Sequence, residues 1–156
     1  AQRGGSVSSH IRIGDELISP VIPFRHADIL IGFELAEGAR QLPRLKPGAA
    51  AVVNTECIIP VNVALGRGEY NGEGYLGAIR ENIKNAVCVN ARPLAIRAGD
   101  VRTLNIVLLG LSVGASILPF DEGEILRSIE RNVRPAFLDI NRRAFFIGEE
   151  EGSKQN

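Results

Sequence analysis

The sequence predicts a three-layer α/β/α sandwich with a mostly parallel sheet. Short continuous apolar runs occupy 28–33, 50–54 and 87–89, and each suits a strand buried on both faces. Helical-period segments with capping residues separate those runs, giving the strand–helix–strand order of a parallel unit. The last third shows helical patterning alone.

Taken in order, the segment 6–14 alternates Val7, Ser9, Ile11 and Ile13 with Ser8, His10 and Arg12, which predicts a half-buried strand. The run 28–33 is the first buried strand, and 34–40 is a short helix ended by Pro43. Lys46-Pro47-Gly48 reads as a turn and 50–54 as the second buried strand. Residues 58–61 read as extended, with Pro60 barring a central position. Four glycines within 66–74 predict a mobile loop. Leu76, Ile79 and Ile83 then recur at helical spacing, predicting an amphipathic helix over 75–85 ahead of the third strand.

Arg92-Pro93 opens a short helix that Gly99 closes, and Asp100 caps the next. The apolar stretch 104–118 is shorter than the ~20 residues a membrane span requires, so it reads as a buried helix. Asp121 and Glu124 have capping-box spacing ahead of Ile125, Ile129 and Val133, and Pro135 ends that helix. The final helix presents Phe137, Ile140, Ala144 and Ile147, with Gly148 as its stop. That places one domain over 1–148 and a polar, disordered tail over 149–156.

A chain of 156 residues is large enough for one domain with a proper core. Lys plus Arg equals Asp plus Glu at 18 each, so the net charge is zero. Nucleic acid and anionic membranes reward a basic surface and are disfavoured as partners. The same neutrality does little to prevent self-association, and a homodimer is an expected state of the isolated chain. Cys57 and Cys88 read as small buried apolar residues; two thiols hold neither an iron–sulfur cluster nor a tetrahedral zinc unaided. His10 and His26 read as surface residues, and no metal site is expected.

No phosphate-cradling Gly-x-x-x-x-Gly-Lys-Ser/Thr occurs, no Gly-x-Gly-x-x-Gly opens a helix after a strand, and no Gly-x-Ser-x-Gly forms an elbow at a strand-to-helix turn. Ligands of open parallel sheets gather beyond the carboxyl ends of the strands. Glu34 follows the first buried strand, and Asn54 and Thr55 end the second. A carboxylate, an amide and a hydroxyl there suit a hydroxylated or phosphorylated ligand; as an alternative, Glu34 and Thr55 merely cap the segments after them. Gln2-Arg3-Gly4-Gly5 is a third candidate, since Arg recognises carboxylate or phosphate and adjacent glycines permit close backbone approach. A plain turn with a solvated Arg is its alternative. No catalytic constellation emerges from these residues.

Several segments together carry a resemblance: 2–7 (Gln-Arg-Gly-Gly-Ser-Val), 11–14 (Ile-Arg-Ile-Gly), 27–34 (Ala-Asp-Ile-Leu-Ile-Gly-Phe-Glu), 45–48 (Leu-Lys-Pro-Gly), 53–55 (Val-Asn-Thr), 103–110 and 139–148. In this order the chain resembles the gamma domain of the 2-oxoacid:ferredoxin oxidoreductases, with 139–148 nearest the beta subunit of the indolepyruvate enzymes. The similarity runs from Gln2 to Gly148. It implies a Rossmann-like domain in an enzyme of anaerobic metabolism that converts 2-oxoacids to acyl-CoA and CO2 and passes electrons to ferredoxin. It also implies that thiamine diphosphate and iron–sulfur clusters sit on other subunits, that the domain helps shape the substrate or CoA channel, and that the setting is cytoplasmic.

Family members begin with a strand, a Gly-rich turn, a helix and a strand before the Arg-Gly-Gly stretch. Their absence here leads to the expectation that residues 2–5 are internal to a longer domain and that Leu30 and its neighbours lack a sheet partner. The function expected is thus a non-cofactor-bearing subunit of a thiamine-dependent oxidoreductase for indolepyruvate or another arylpyruvate. It would work with a larger thiamine- and iron–sulfur-containing subunit and be inactive alone. Alternatives are a gamma subunit for pyruvate or 2-oxoglutarate, a free-standing small-ligand or nucleotide-binding module, and a purely structural domain.

Overall fold

The computed structural model describes residues 6–15, 19–59 and 61–155. Its sheet has three parallel strands in the order β1 (Ala27–Gly32), β2 (Leu45–Asn54) and β3 (Asn85–Val89). Helices α1 (Leu35–Arg40), α2 (Val61–Ala64) and α3 (Gly72–Asn82) come before β3, and α4 (Ala91–Ala98), α5 (Leu104–Gly114), α6 (Glu122–Asn132) and α7 (Leu138–Ser153) after it. The expected three-layer α/β/α sandwich is therefore present.

Strand alternation assigns the layers. Ala51 and Val53 of β2 pack with Leu35, Ile79 and Ile83 on the α1–α3 side. Val52, between them, packs with Ala91, Ala95, Val107, Leu108 and Leu111 on the α4–α5 side. A period of two thus sends neighbouring residues into opposite cores, and the sheet is covered on both faces.

The expected turn at 46–48 is a bulge within β2. Ala27 pairs with Leu45 and Ile29 with Ala50, so Lys46–Ala49 stand out opposite Asp28 alone, with Gly48 at φ +80°. Leu30 does have a partner, Ala51, which corrects the expectation that β1 would be unpaired; only the other edge of β1 is open among the described residues.

Several expected boundaries move. Asn71 caps α3 by accepting from the Gly74 amide at 2.8 Å, so the helix takes up Gly72 and Gly74 from the expected glycine loop and ends before β3. Val61, expected to be extended, begins α2. Asp121 and Glu124 form the expected reciprocal capping box of α6.

Two corrections are larger. Gly148 does not stop the last helix: α7 continues to Ser153, and most of the expected tail is its final turns. Gly110 and Gly114 of α5 face Gly148 and Gly152 of α7. A Cβ on Gly110 would lie 2.1 Å from the Phe145 carbonyl oxygen, and one on Gly148 2.1 Å from that of Val107. These glycines remove side chains where two backbones touch.

The other correction concerns 6–13, which forms no strand and runs without turn or bend to Gly14. Val7, Ile11 and Ile13 are 86%, 80% and 74% exposed, while His10 and Arg12 are half-buried. The alternation is real, but it faces the opposite way from the expected one. His10 Nδ1 accepts the Ile22 amide at 3.1 Å, and Arg12 donates to the Ser19 carbonyl. No strand among the described residues pairs with the segment.

Candidate functional site

The carboxyl ends of the strands converge through one side chain. Asn54, 1% exposed, donates from Nδ2 to the Phe33 carbonyl at 3.0 Å. Its Oδ1 accepts the Ala91 amide at 3.0 Å and the Glu56 amide at 3.3 Å. The Thr55 amide donates to the Val89 carbonyl at 3.1 Å. Asn54 thus joins the segments leaving β1, β2 and β3, and its polar atoms are engaged with backbone.

Glu34 sits at the head of α1. One carboxylate oxygen accepts the Glu37 amide at 2.9 Å as an N-cap; the other accepts the Tyr70 hydroxyl and, at 3.5 Å, the Ile58 amide. Burial pushes its pKa up. Hydrogen bonds from Tyr70 and the Glu37, Ala36 and Ile58 amides outweigh burial and hold it below the ordinary 4.5. Tyr70 is shifted far upward by burial, then by Glu34 and by the Cys57 thiol beside it. Tyr70 also meets Tyr75 edge to face, with centroids 5.4 Å apart.

Cys57 is exposed, against the expectation of burial, and Cys88 is half-buried on β3; both are free thiols. The Cys88 thiol is pushed up by burial, which outweighs nearby Arg80. His26 is exposed as expected, its Nδ1 2.7 Å from the Phe24 carbonyl, whereas His10 is half-buried. Arg92 of α4 pairs with Glu56 at 3.1 Å.

The structure therefore brings Glu34, Asn54 and Thr55 to one edge, as the sequence suggested. Gln2, Arg3, Gly4 and Gly5 lie outside the described residues. Tyr70 is the member that sequence reasoning missed. It lies 36 residues from Glu34, and a lone Tyr in a glycine-rich stretch gave no signal of that contact. Beyond the hydrogen-bonded groups the edge turns apolar: Phe33, Ile58 and Ile59 are 54%, 62% and 58% exposed. An open depression of about 320 Å³ lined by Arg25, Leu42, Pro43 and Lys46 lies at the opposite, amino-terminal end of the strands. It touches none of these residues.

Comparison with known proteins agrees with this architecture. Residues 1–151 match the family model for pyruvate ferredoxin/flavodoxin oxidoreductase. The chain is 34% identical over 149 residues to an indolepyruvate oxidoreductase subunit IorB from Archaeoglobus fulgidus, covering 95% of this chain and 74% of that protein. It is 33% identical over 149 residues to the subunit of the same name from Methanothermobacter thermautotrophicus, covering 95% and 76%. The gamma subunit of a keto/oxoacid ferredoxin oxidoreductase from Geobacter sulfurreducens shares the fold, with a TM-score of 0.58 at 19% identity over 81% of this chain; the chain spans 64% of that subunit. The chain belongs to the pyruvate ferredoxin/flavodoxin oxidoreductase family.

Proposed function

We propose that this chain is the small, non-cofactor-bearing subunit of a 2-oxoacid:ferredoxin oxidoreductase acting on indolepyruvate or another arylpyruvate. The observation that carries the reading is the likeness, along 95% of the chain, to subunits named for indolepyruvate oxidoreductase. The strand-end chemistry supports it. Glu34 is held charged by Tyr70 and backbone amides, and the Asn54 amide is enclosed, so both hold the edge together. The groups that edge turns outward are Phe33, Ile58 and Ile59, a surface suited to packing against another subunit. Thr55, and Gln2, Arg3, Gly4 and Gly5 outside the described residues, are the proposed ligand or interface contacts.

In this reading a larger subunit carries thiamine diphosphate and the iron–sulfur clusters, CoA takes the acyl group, and ferredoxin takes the electrons. The cysteine count is in keeping, since a cluster takes four thiolates and this chain has two cysteines. In this reading the chain's own residues help shape the substrate or CoA channel. The setting is cytoplasmic. No described helix is long and apolar enough to cross a membrane.

The test is reconstitution. Indolepyruvate- and CoA-dependent reduction of ferredoxin is measured for this chain, for the larger subunit, and for the mixture. Turnover is expected only in the mixture. Turnover by this chain alone overturns the reading, as does a larger subunit whose rate the chain does not change.

A further inference from the structure

The last helix turns one face to solvent. α7 packs on α5 through Gly148 and Gly152, on α6 through the Arg142–Glu130 ion pair, and on the end of α4, where Ile140 would lie 3.3 Å from a Cβ on Gly99. Its remaining side carries Asp139, Arg143, Phe146, Glu150 and Lys154, all of them exposed. Steps of three and four residues keep the five on a single stripe. α5 in turn packs on Val52 of β2, so a helix separates the stripe from the sheet.

Along the chain the stripe is acidic, basic, aromatic, acidic, basic. Turned end for end and laid against itself, it puts Asp139 opposite Lys154 and Arg143 opposite Glu150, both pairs centred between Phe146 and Ile147. No like charges meet. The pattern is complementary to its own copy in the antiparallel sense, as a two-fold interface requires of one surface. A parallel pair would set Arg143 beside Arg143 and Glu150 beside Glu150, which selects against that direction.

Within one chain these charges are only half used. Glu150 pairs with Lys154 at 3.1 Å, the i,i+4 contact of an ordinary solvated helix. Asp139 and Arg143 have the same spacing, yet they form no ion pair with each other or with any other described residue. Phe146 meets Phe145 edge to face at 5.7 Å between centroids and is still 44% exposed. An exposed aromatic residue between opposite charges has the make-up of an interface centre with a polar rim.

We infer that α7 pairs antiparallel with α7 of a second copy of this chain, with Phe146 packed beside its counterpart at the two-fold axis and Arg143 of each copy against Glu150 of the other. Asp139 and Lys154 extend the same match by a turn on either side. Burial of the two rings drives the contact, and the ion pairs at its rim fix direction and register rather than strength. One helix from each copy is a small interface, so the association is weak. The inference stands apart from the proposed enzymatic role, which concerns the larger subunit.

The test follows the full chain by sedimentation over a concentration series. A monomer–dimer equilibrium is expected, weakened by added salt. Arg143→Glu and Glu150→Arg should each weaken it at least about tenfold, since each sets like charges together on both sides of the axis. The double variant restores opposite charges across the pair and should return to within about threefold of the native chain. Positions 143 and 150 stand about 10 Å apart along one helix, so recovery in the double variant reports contact between copies. Phe146→Ser should abolish the dimer while the circular dichroism spectrum is unchanged. A chain that stays monomeric at about 100 μM overturns the inference, since a weak dimer is populated there. A dimer that no single variant weakens overturns it too, because another surface then joins the copies. So does a double variant as weak as the single ones, which means that the two charges do not face each other.

Discussion

Where α5 crosses α7 nothing stands between the two backbones: carbonyl oxygens of one helix occupy the positions that Cβ atoms of Gly110, Gly114, Gly148 and Gly152 would take. Along 6–13 the reverse holds, with Val7, Ile11 and Ile13 in solvent and backbone groups without partners among the described residues. In both regions the structure departs from the expectation that the residue pattern raises. In the first, a missing side chain permits contact. In the second, side chains suited to contact stand mostly in solvent among the described residues. A residue type states what a site tolerates; its neighbours decide whether that tolerance is used.

The largest expected effect tests the closed region. Gly110→Ala puts a methyl 2.1 Å from the Phe145 carbonyl oxygen, and neither helix can yield without parting. A loss of about 3 kcal/mol or more is expected in urea unfolding, at the upper end for overpacking. Gly77→Ala is the matched contrast. Gly77 lies inside α3 with no atom within 4 Å of an added Cβ, so the same change should stabilise by about 0.5–1 kcal/mol through helix propensity. If both substitutions shift the unfolding midpoint in the same direction, the close-contact account of the α5–α7 glycines fails.

The strand ends lie between these extremes. Asn54→Ala leaves the Phe33 carbonyl and the Ala91 amide without their partner inside a closed edge. A loss of about 2 kcal/mol is expected for stranded buried groups. Tyr70→Phe removes only the hydroxyl that holds Glu34 charged, with about 1 kcal/mol lost at pH 7. Its sign with pH is fixed. The folded pKa of Glu34 lies below 4.5, so the charged carboxylate contributes stability that is present above 4.5 and lost as pH falls through the folded value. The variant's folded pKa moves back toward 4.5, so the gap between the two proteins should narrow as pH drops through that window. A gap constant from about pH 7 to about pH 3 would show that the hydroxyl acts through packing.

How much of the molecule is legible in the sequence depends on the range of each signal. The buried strands at 28–33, 50–54 and 87–89 are visible because continuous apolar runs are local, and so are the caps at Asp100 and Asp121. Glu34 and Asn54 can be found because strand ends follow from strands. Tyr70 cannot, since its contact with Glu34 crosses 36 residues and depends on how the loop before α3 folds back. Gly148 misleads because a glycine near a helix end reads as a stop, and only the facing helix shows it to be a point of contact.

The smallest expected effect on stability completes the comparison. Ile11→Ser with Ile13→Ser alters two side chains that are 80% and 74% exposed. Dilute protein should therefore unfold within about 0.5 kcal/mol of the native chain, as exposed positions do. The α5–α7 glycines lie at the other extreme, where one added methyl meets a carbonyl oxygen of the facing helix. A loss from the double isoleucine variant as large as that from Gly110→Ala would place Ile11 and Ile13 against the core rather than in solvent.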